Sequence, residues 1–563
     1  MRTELREKLS SSLLFIYKDE DIVKETLSLV DQVLDQYTDI PAKGTWISEK
    51  DSILITYGDS LYRDGESGLK TLKSFLDEHV QDAISTVHLL PMFPYTSDDG
   101  FSVVDYKKIN PDLGDWEDVN ALAKSYDLMF DAVVNHVSKS SMWFEKYLSQ
   151  EYPYNTYFID CDPDADYSSV TRPRALPLLT EFETTSGEKK YLWTTFSTDQ
   201  IDLNFRSPHV YAEILDVLLS FAQNGARFIR LDAIGFIWKE PGTTCMHLPE
   251  THELIKTYRM LLDTYAPGVC LITETNVPHK DNISYFGNGH DEAQLIYQFP
   301  LPPLTMFSFL TGNAEKLSRW ADGLDEPVYG TSYFNFLSSH DGVGVRPTEG
   351  ILTKEEQQIL VDATLKNGGA VSYKDNGDGT KSPYELNINY QDALASPEDT
   401  DEVRIARFLA AETILLSLQG LPGIYIHSLL GSRNDYYGMN TSGIPRRINR
   451  EKLDADKLSN QLRLGSNRKV IFDEMIRRIK IRKSQKAFSP VAHQKIIFDD
   501  QRIFALERFT DTGEKITVLV NVSSDAVHVH TKVKGYDLIA DTPVGDVVIL
   551  EPLQCMWILG DEC

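Results

Sequence analysis

Eight short apolar runs, most of them separated by helical patterns, constrain this chain more than any other feature. They fall at 53–57, 85–90, 128–134, 227–231, 269–274, 295–299, 333–338 and 423–427. Between them, stretches such as 209–223, 251–264 and 403–418 carry apolar residues at a helical period. Most of the runs do not alternate apolar and polar residues, as expected of strands covered on both faces. Strand and helix in regular exchange imply a parallel sheet, and eight such strands favour closure over an open doubly wound sheet. The expected fold is α/β: a (β/α)8 TIM barrel with inserts after strands 3 and 7 and a C-terminal antiparallel β domain.

Two gaps interrupt the rhythm. Residues 137–204 are rich in Tyr, Pro and Asp, and 344–402 contain the turn sequence Asn376-Gly377-Asp378-Gly379. Both follow strands, so both inserts are expected to overhang the face where barrel enzymes keep their chemistry. Residues 20–37 read as a helix, and from about 493 apolar runs such as 503–506 and 516–520 indicate a small β domain. The expected organisation is an N-terminal helical extension (1–50), a barrel from 51–136, 205–343 and 403–490, inserts at 137–204 and 344–402, and the β domain at 491–563.

A net charge of −28 argues against a nucleic-acid partner, whose phosphates need a basic footprint. Cys161, Cys245, Cys270, Cys555 and Cys563 are odd in number and show no CxxC spacing, which supports neither a zinc site nor a disulfide framework. The apolar patch at Leu13–Tyr17 is too short for a signal peptide or membrane span. The expectation is a cytoplasmic protein without a membrane partner. A monomer and a homodimer both remain open.

Several strand runs end in carboxylates: Arg230-Leu231-Asp232, Ile272-Thr273-Glu274 and Ser339-His340-Asp341. A single such ending is most simply a helix cap. Several in successive strands imply acids converging on one bond. Retaining glycoside chemistry needs one carboxylate as nucleophile and one protonated carboxyl as acid and then base, while further negative charge favours an oxocarbenium-like transition state. Asp232, Glu274 and Asp341 fit those needs in residue type. Arg230, two residues before Asp232, points the same way on a strand and holds a carboxylate ionised.

The phrases DAVVNH (131–136), RFIRLDAIG (227–235), ITET (272–275) and SSHD (338–341) resemble the four signature regions of the α-amylase superfamily, glycoside hydrolase family 13. The resemblance implies that Asp232 is the nucleophile, Glu274 the acid/base and Asp341 the transition-state stabiliser, with His136 and His340 on the sugar. Further phrases, among them Ser97–Phe101, Arg172-Pro173-Arg174 and Ile448-Asn449-Arg450, resemble the sucrose phosphorylase group. In that group residues matching Asp98 and Arg446 pair across the 4-hydroxyl, Phe101 would stack on the sugar, and Arg174 would contact phosphate. Arg172, spaced to project like Arg174 from an extended backbone, joins it as a candidate.

Within the group, KEPGTTCMHL (239–248), SPYELNINYQDAL (382–394) and LLGSRNDYYG (429–438) resemble the members that cleave glucosylglycerate. Asn276 and Arg433 depart from the sucrose-specific pattern and are expected on acceptor loops. Lys239, Lys280 and Arg433 are the candidate cations for a glycerate carboxylate. The implied reaction is reversible phosphorolysis of an α-glucoside by inorganic phosphate, giving glucose 1-phosphate and glycerate, with no cofactor and no metal. Sucrose or sucrose 6′-phosphate phosphorolysis, hydrolysis or transglucosylation, and an inactive carbohydrate-binding barrel remain the alternatives.

Overall fold

The computed structural model describes residues 1–560 except 45, 175, 376–379 and 546. The turn at Asn376–Gly379 and the terminal Cys563 therefore lie outside the described residues. The eight barrel strands are β1 (Ile53–Thr56), β2 (Thr86–Leu89), β3 (Asp127–Ala132), β4 (Ala226–Leu231), β5 (Cys270–Thr273), β6 (Leu295–Tyr297), β7 (Ser332–Phe336) and β8 (Leu421–Tyr425). They are parallel, follow one another in chain order, and close where β1 meets β8, with Ile53 level with Gly423. The (β/α)8 barrel expected from the eight runs is the fold.

These strands are almost wholly buried, which is why their sequences read as continuous apolar runs. Helices Pro208–Gln223, Pro249–Tyr265 and Asp401–Ser417 cover three of the connections, the last capped by the Thr400 hydroxyl accepting from the Val403 amide. Helix α1 (Thr3–Tyr17) absorbs the Leu13–Tyr17 patch as its final turn. Helix α2 (Glu20–Leu34) starts at Asp19, whose carboxylate accepts from the Asp21 and Ile22 amides. These two helices pack against Pro249–Tyr265 and Pro208–Gln223 respectively. Among the described residues, no helix is long and apolar enough to cross a membrane.

After β3 the chain enters the first insert through His136–Ser138, which pairs antiparallel with Gln200–Asp202. After β7, Val343–Gly344 pairs with the hairpin Ala370–Asp375/Lys381–Asn387. The C-terminal region forms a six-stranded antiparallel sheet. It is fastened to the barrel by Arg508, which donates to Ser417 O at 3.0 Å, and by Trp557 Nε1, which donates to Ser417 Oγ at 2.7 Å. One interior group stands apart: Glu412, on helix Asp401–Ser417, is wholly buried and neither carboxyl oxygen has a hydrogen-bond partner among the described residues.

Candidate active site

Strand register assembles the acids. Asp131 on β3 lies level with Arg230 on β4, and Thr273 on β5 lies level with Leu231, so Glu274 and Asp232 leave adjacent strands at the same height. The fully buried Arg230 guanidinium donates to Asp131 and, at 2.8 Å, to Asp232 Oδ1, while its Nε donates to Tyr297 Oη at 3.1 Å. Asp131 is held from its other side by His88 Nε2 at 2.6 Å. After Asp232 the backbone turns through Ala233 at φ 49°, a left-handed conformation costly for a residue with a Cβ. That turn aims the Ala233 N–H at Glu274 Oε2, 3.1 Å away.

Burial, opposed by Arg230 but reinforced by the neighbouring carboxylates, pushes both Asp232 and Glu274 above the ordinary carboxylate range. The pair therefore retains a proton near neutrality. The Arg230 N–H on Asp232 favours leaving that proton on Glu274. Asp341 is driven the other way. Burial would raise it, but Arg446, His340, Arg450 and Arg230 together hold it well below the usual range. Arg446 Nη1 lies 2.8 Å from Asp341 Oδ1.

The rest of the Arg446 guanidinium binds Glu385 on the second insert, Nε to Oε1 at 2.9 Å and Nη2 to Oε2 at 2.6 Å. The two-pronged partner of Arg446 is thus Glu385 and not Asp98. Asp98 instead faces Arg174 Nη2 at 3.3 Å and Gln200 Nε2 at 3.5 Å. A left-handed turn runs through Asp98 and Asp99, at φ 53° and 48°, and the two carboxylates meet different arginines. Asp99 takes Arg447 through two bonds (2.5 and 3.1 Å) and Arg450 at 2.7 Å.

The Phe101 ring stacks on His340 at 4.9 Å with 5° between planes. His136 Nε2 lies 2.9 Å from the Phe101 carbonyl, and Asn135 Nδ2 approaches its Nδ1 at 3.1 Å. Both histidines are buried and shifted towards the neutral form, His340 to about 3. The two ring nitrogens of His136 are thus already engaged by protein groups.

One cavity gathers Asp232, Glu274, Asp341, Asp98, Phe101 and Arg446, with His136, His340, Arg174 and Asn276 also on its wall. Other candidates fall elsewhere. Arg172 is exposed and absent from the wall, while Pro173 and Arg174 line it. Lys239 is buried beneath the first insert, its Nζ 2.7 Å from both Asn135 Oδ1 and Asp202 Oδ2. Arg433 pairs with Asp392 at 2.6 Å on a separate surface hollow, and Lys280 is exposed. Neither Lys239 nor Arg433 reaches the acceptor cations' expected place. The sequence patterns do not single out Glu385, Gln200, Tyr384 or Arg346, which also line the cavity. Gln200 comes from a segment without strand or motif signals, Tyr384 and Glu385 fall within the phrase at 382–394 without standing out in it, and Arg346 follows the SSHD phrase by five residues.

A closed barrel with buried acids at successive strand ends defines an enzyme of the α-amylase class. The family model described as "Alpha amylase, catalytic domain" matches residues 77–347. The chain is 47% identical to the glucosylglycerate phosphorylase of Allomeiothermus silvanus over 99% of both chains. It is 46% identical to that of Escherichia coli, covering 91% of this chain and 92% of the other. Among solved structures it resembles the sucrose 6F-phosphate phosphorylase from Thermoanaerobacter thermosaccharolyticum, with a TM-score of 0.74 and 26% identity over 85% of this chain and 94% of that one. The chain belongs to the α-amylase family and, within it, to the group of the glucosylglycerate phosphorylases.

Proposed function

We propose that this protein is a retaining glycoside phosphorylase that reversibly converts 2-O-α-D-glucosylglycerate and inorganic phosphate into α-D-glucose 1-phosphate and glycerate. The observation that carries this reading is the full-length similarity to glucosylglycerate phosphorylases. Asp232 attacks the anomeric carbon as Glu274 gives its proton to the departing glycerate oxygen. Phosphate then attacks the glucosyl ester of Asp232 from the vacated side, its proton passing to Glu274. Asp341 stabilises the positive charge that develops at the anomeric carbon, and Arg446 and Glu385 hold Asp341 in place. Arg174 supplies positive charge for phosphate. Asp98, Phe101, His136 and His340 shape the glucose subsite. Glucose 1-phosphate is a metabolite of the cell interior, and the four described cysteines are all unpaired, which suits the cytoplasm.

The test incubates the protein with 2-O-α-glucosylglycerate with and without phosphate, and in parallel with sucrose. Glucose 1-phosphate and glycerate should form in equal amounts and only with phosphate. Free glucose released at the same rate without phosphate, or a preference for sucrose, would overturn the reading.

A further inference from the structure

Three arginines line the cavity, and two of them are engaged: Arg446 by Glu385 and Asp341, Arg174 by Asp98. Arg346 is the third. It is half-buried, and its side chain makes no hydrogen bond or ion pair with any described residue. A guanidinium left unpaired on a cavity wall, in a protein whose other cavity arginines are engaged, is poised for an anion that is not part of the chain.

Its backbone is fixed in advance. Val345 N–H donates to Tyr384 O at 3.0 Å, Pro347 follows at once, and the Arg346 carbonyl accepts from Glu349 N–H at 3.0 Å. A second unmet group lies close by in the chain's folding. Asn276, two residues after Glu274, packs its amide so tightly on Gly344 that a Cβ there would fall 3.0 Å from Nδ2 and 3.1 Å from Oδ1. Asn276 lines the same cavity, and its Oδ1 is buried without a donor among the described residues. A buried acceptor without a partner is costly unless a ligand satisfies it. An unpaired cation and an unsatisfied acceptor together match a small acid that also bears a hydroxyl. Lys239, Lys280 and Arg433, the sequence candidates for this task, are buried in an ion pair, exposed, or paired elsewhere.

We propose that Arg346 and Asn276 form the acceptor-specificity site, Arg346 receiving the carboxylate of a hydroxy acid and Asn276 Oδ1 accepting from its hydroxyl. This rests on the phosphorylase reading above. In that reading the same wall selects glycerate over an uncharged triol of similar size, because only the acid neutralises Arg346.

The experiment runs the reaction towards synthesis with α-glucose 1-phosphate as donor and D-glycerate or glycerol as acceptor. Wild type, R346Q, R346K and G344A are compared, with melting curves confirming folded variants. For R346Q the ratio of kcat/KM for glycerate over glycerol should fall about tenfold or more, and R346K should recover part of it. The KM for glycerate should rise more than that for glucose 1-phosphate in both R346Q and G344A. An unaltered ratio, or an equal rise in both KM values, would overturn the inference while leaving the phosphorylase reading intact. A wild type that makes no glucosylglycerate overturns both.

Discussion

Glu385 accepts two hydrogen bonds from Arg446, at 2.9 and 2.6 Å, and so fixes a guanidinium whose remaining nitrogen reaches Asp341 at 2.8 Å. The second insert thereby holds the charge state and position of an acid at the end of a barrel strand. Glu385→Gln keeps the shape but turns one of the two accepting atoms into a donor facing Arg446. A hydrogen bond to a charged group contributes about 1.5–3 kcal/mol, so kcat should fall roughly tenfold to a hundredfold. Steady-state kinetics beside a melting curve checks this. A kcat within twofold of wild type would show that Asp341 does not depend on the insert.

The proton shared by Asp232 and Glu274 sets an alkaline limit. Asp232, with its pair partner, is raised to about 8 by burial and neighbouring carboxylates. Activity should therefore decline as pH rises through about 8, when the pair loses the proton that the leaving group needs. Glu274→Gln cannot lose a proton in that range. It should lower kcat by about 10²–10⁴-fold and abolish the alkaline limb in a pH–rate profile.

Arg172 and Arg174 should separate cleanly. Arg174→Ala removes a cation from the cavity wall and should raise the KM for phosphate about tenfold, the loss of one charge-assisted contact. Arg172→Ala alters an exposed side chain and should change it less than twofold. Phosphate titrations of both variants settle the pair, and equal effects would return Arg172 to the site.

Glu412 should make stability depend on pH. Burial raises its carboxyl to about 8, and the nearby Ser428 hydroxyl, engaged with Ser338, offsets only part of that. The folded protein thus holds this proton more tightly than the unfolded chain. Its contribution is fully present below the ordinary value of 4.5 and is lost as pH rises through about 8. Glu412→Gln should be more stable than wild type at pH 8, by on the order of a few kcal/mol, with the difference shrinking towards pH 5. Denaturant unfolding at the two pH values measures it.

Much of this architecture is legible in the amino-acid order alone. Buried parallel strands write themselves as apolar runs, so all eight barrel strands, and with them Asp232 and Glu274, fall within a few residues of their expected places. Two strands of the C-terminal sheet, Gly535–Asp537 and Thr542–Val544, escape notice because runs of three residues carry little periodicity, and the six-residue strand Cys555–Gly560 escapes with them. The site is legible where a residue stands on a strand end and opaque where it arrives from an insert. Glu385 sits on a hairpin whose sequence shows no sign of which barrel acid it will meet. Lys239 fails as a ligand for the same reason in reverse: a lysine written in a loop gives no notice that the first insert will bury it against Asp202. Arg446 and Asp98 do share one cavity, where Arg446 is bonded to Glu385 and Asp98 faces Arg174, contacts that the spacing of these residues in the chain does not foretell.

The pairing of Ile53 with Gly423 carries a consequence for how the molecule is made. The first barrel strand leaves the ribosome long before its last neighbour exists. Throughout that interval β1 and the growing β7 edge expose unpaired backbone groups, the kind of edge that recruits other chains. Arg446 is translated later still, so the cavity gains its full charge balance only near the end of synthesis. Catalytic activity therefore reports the last event of assembly. During refolding, its return should follow closure of the sheet and mark the docking of Arg446 and Glu385 over it.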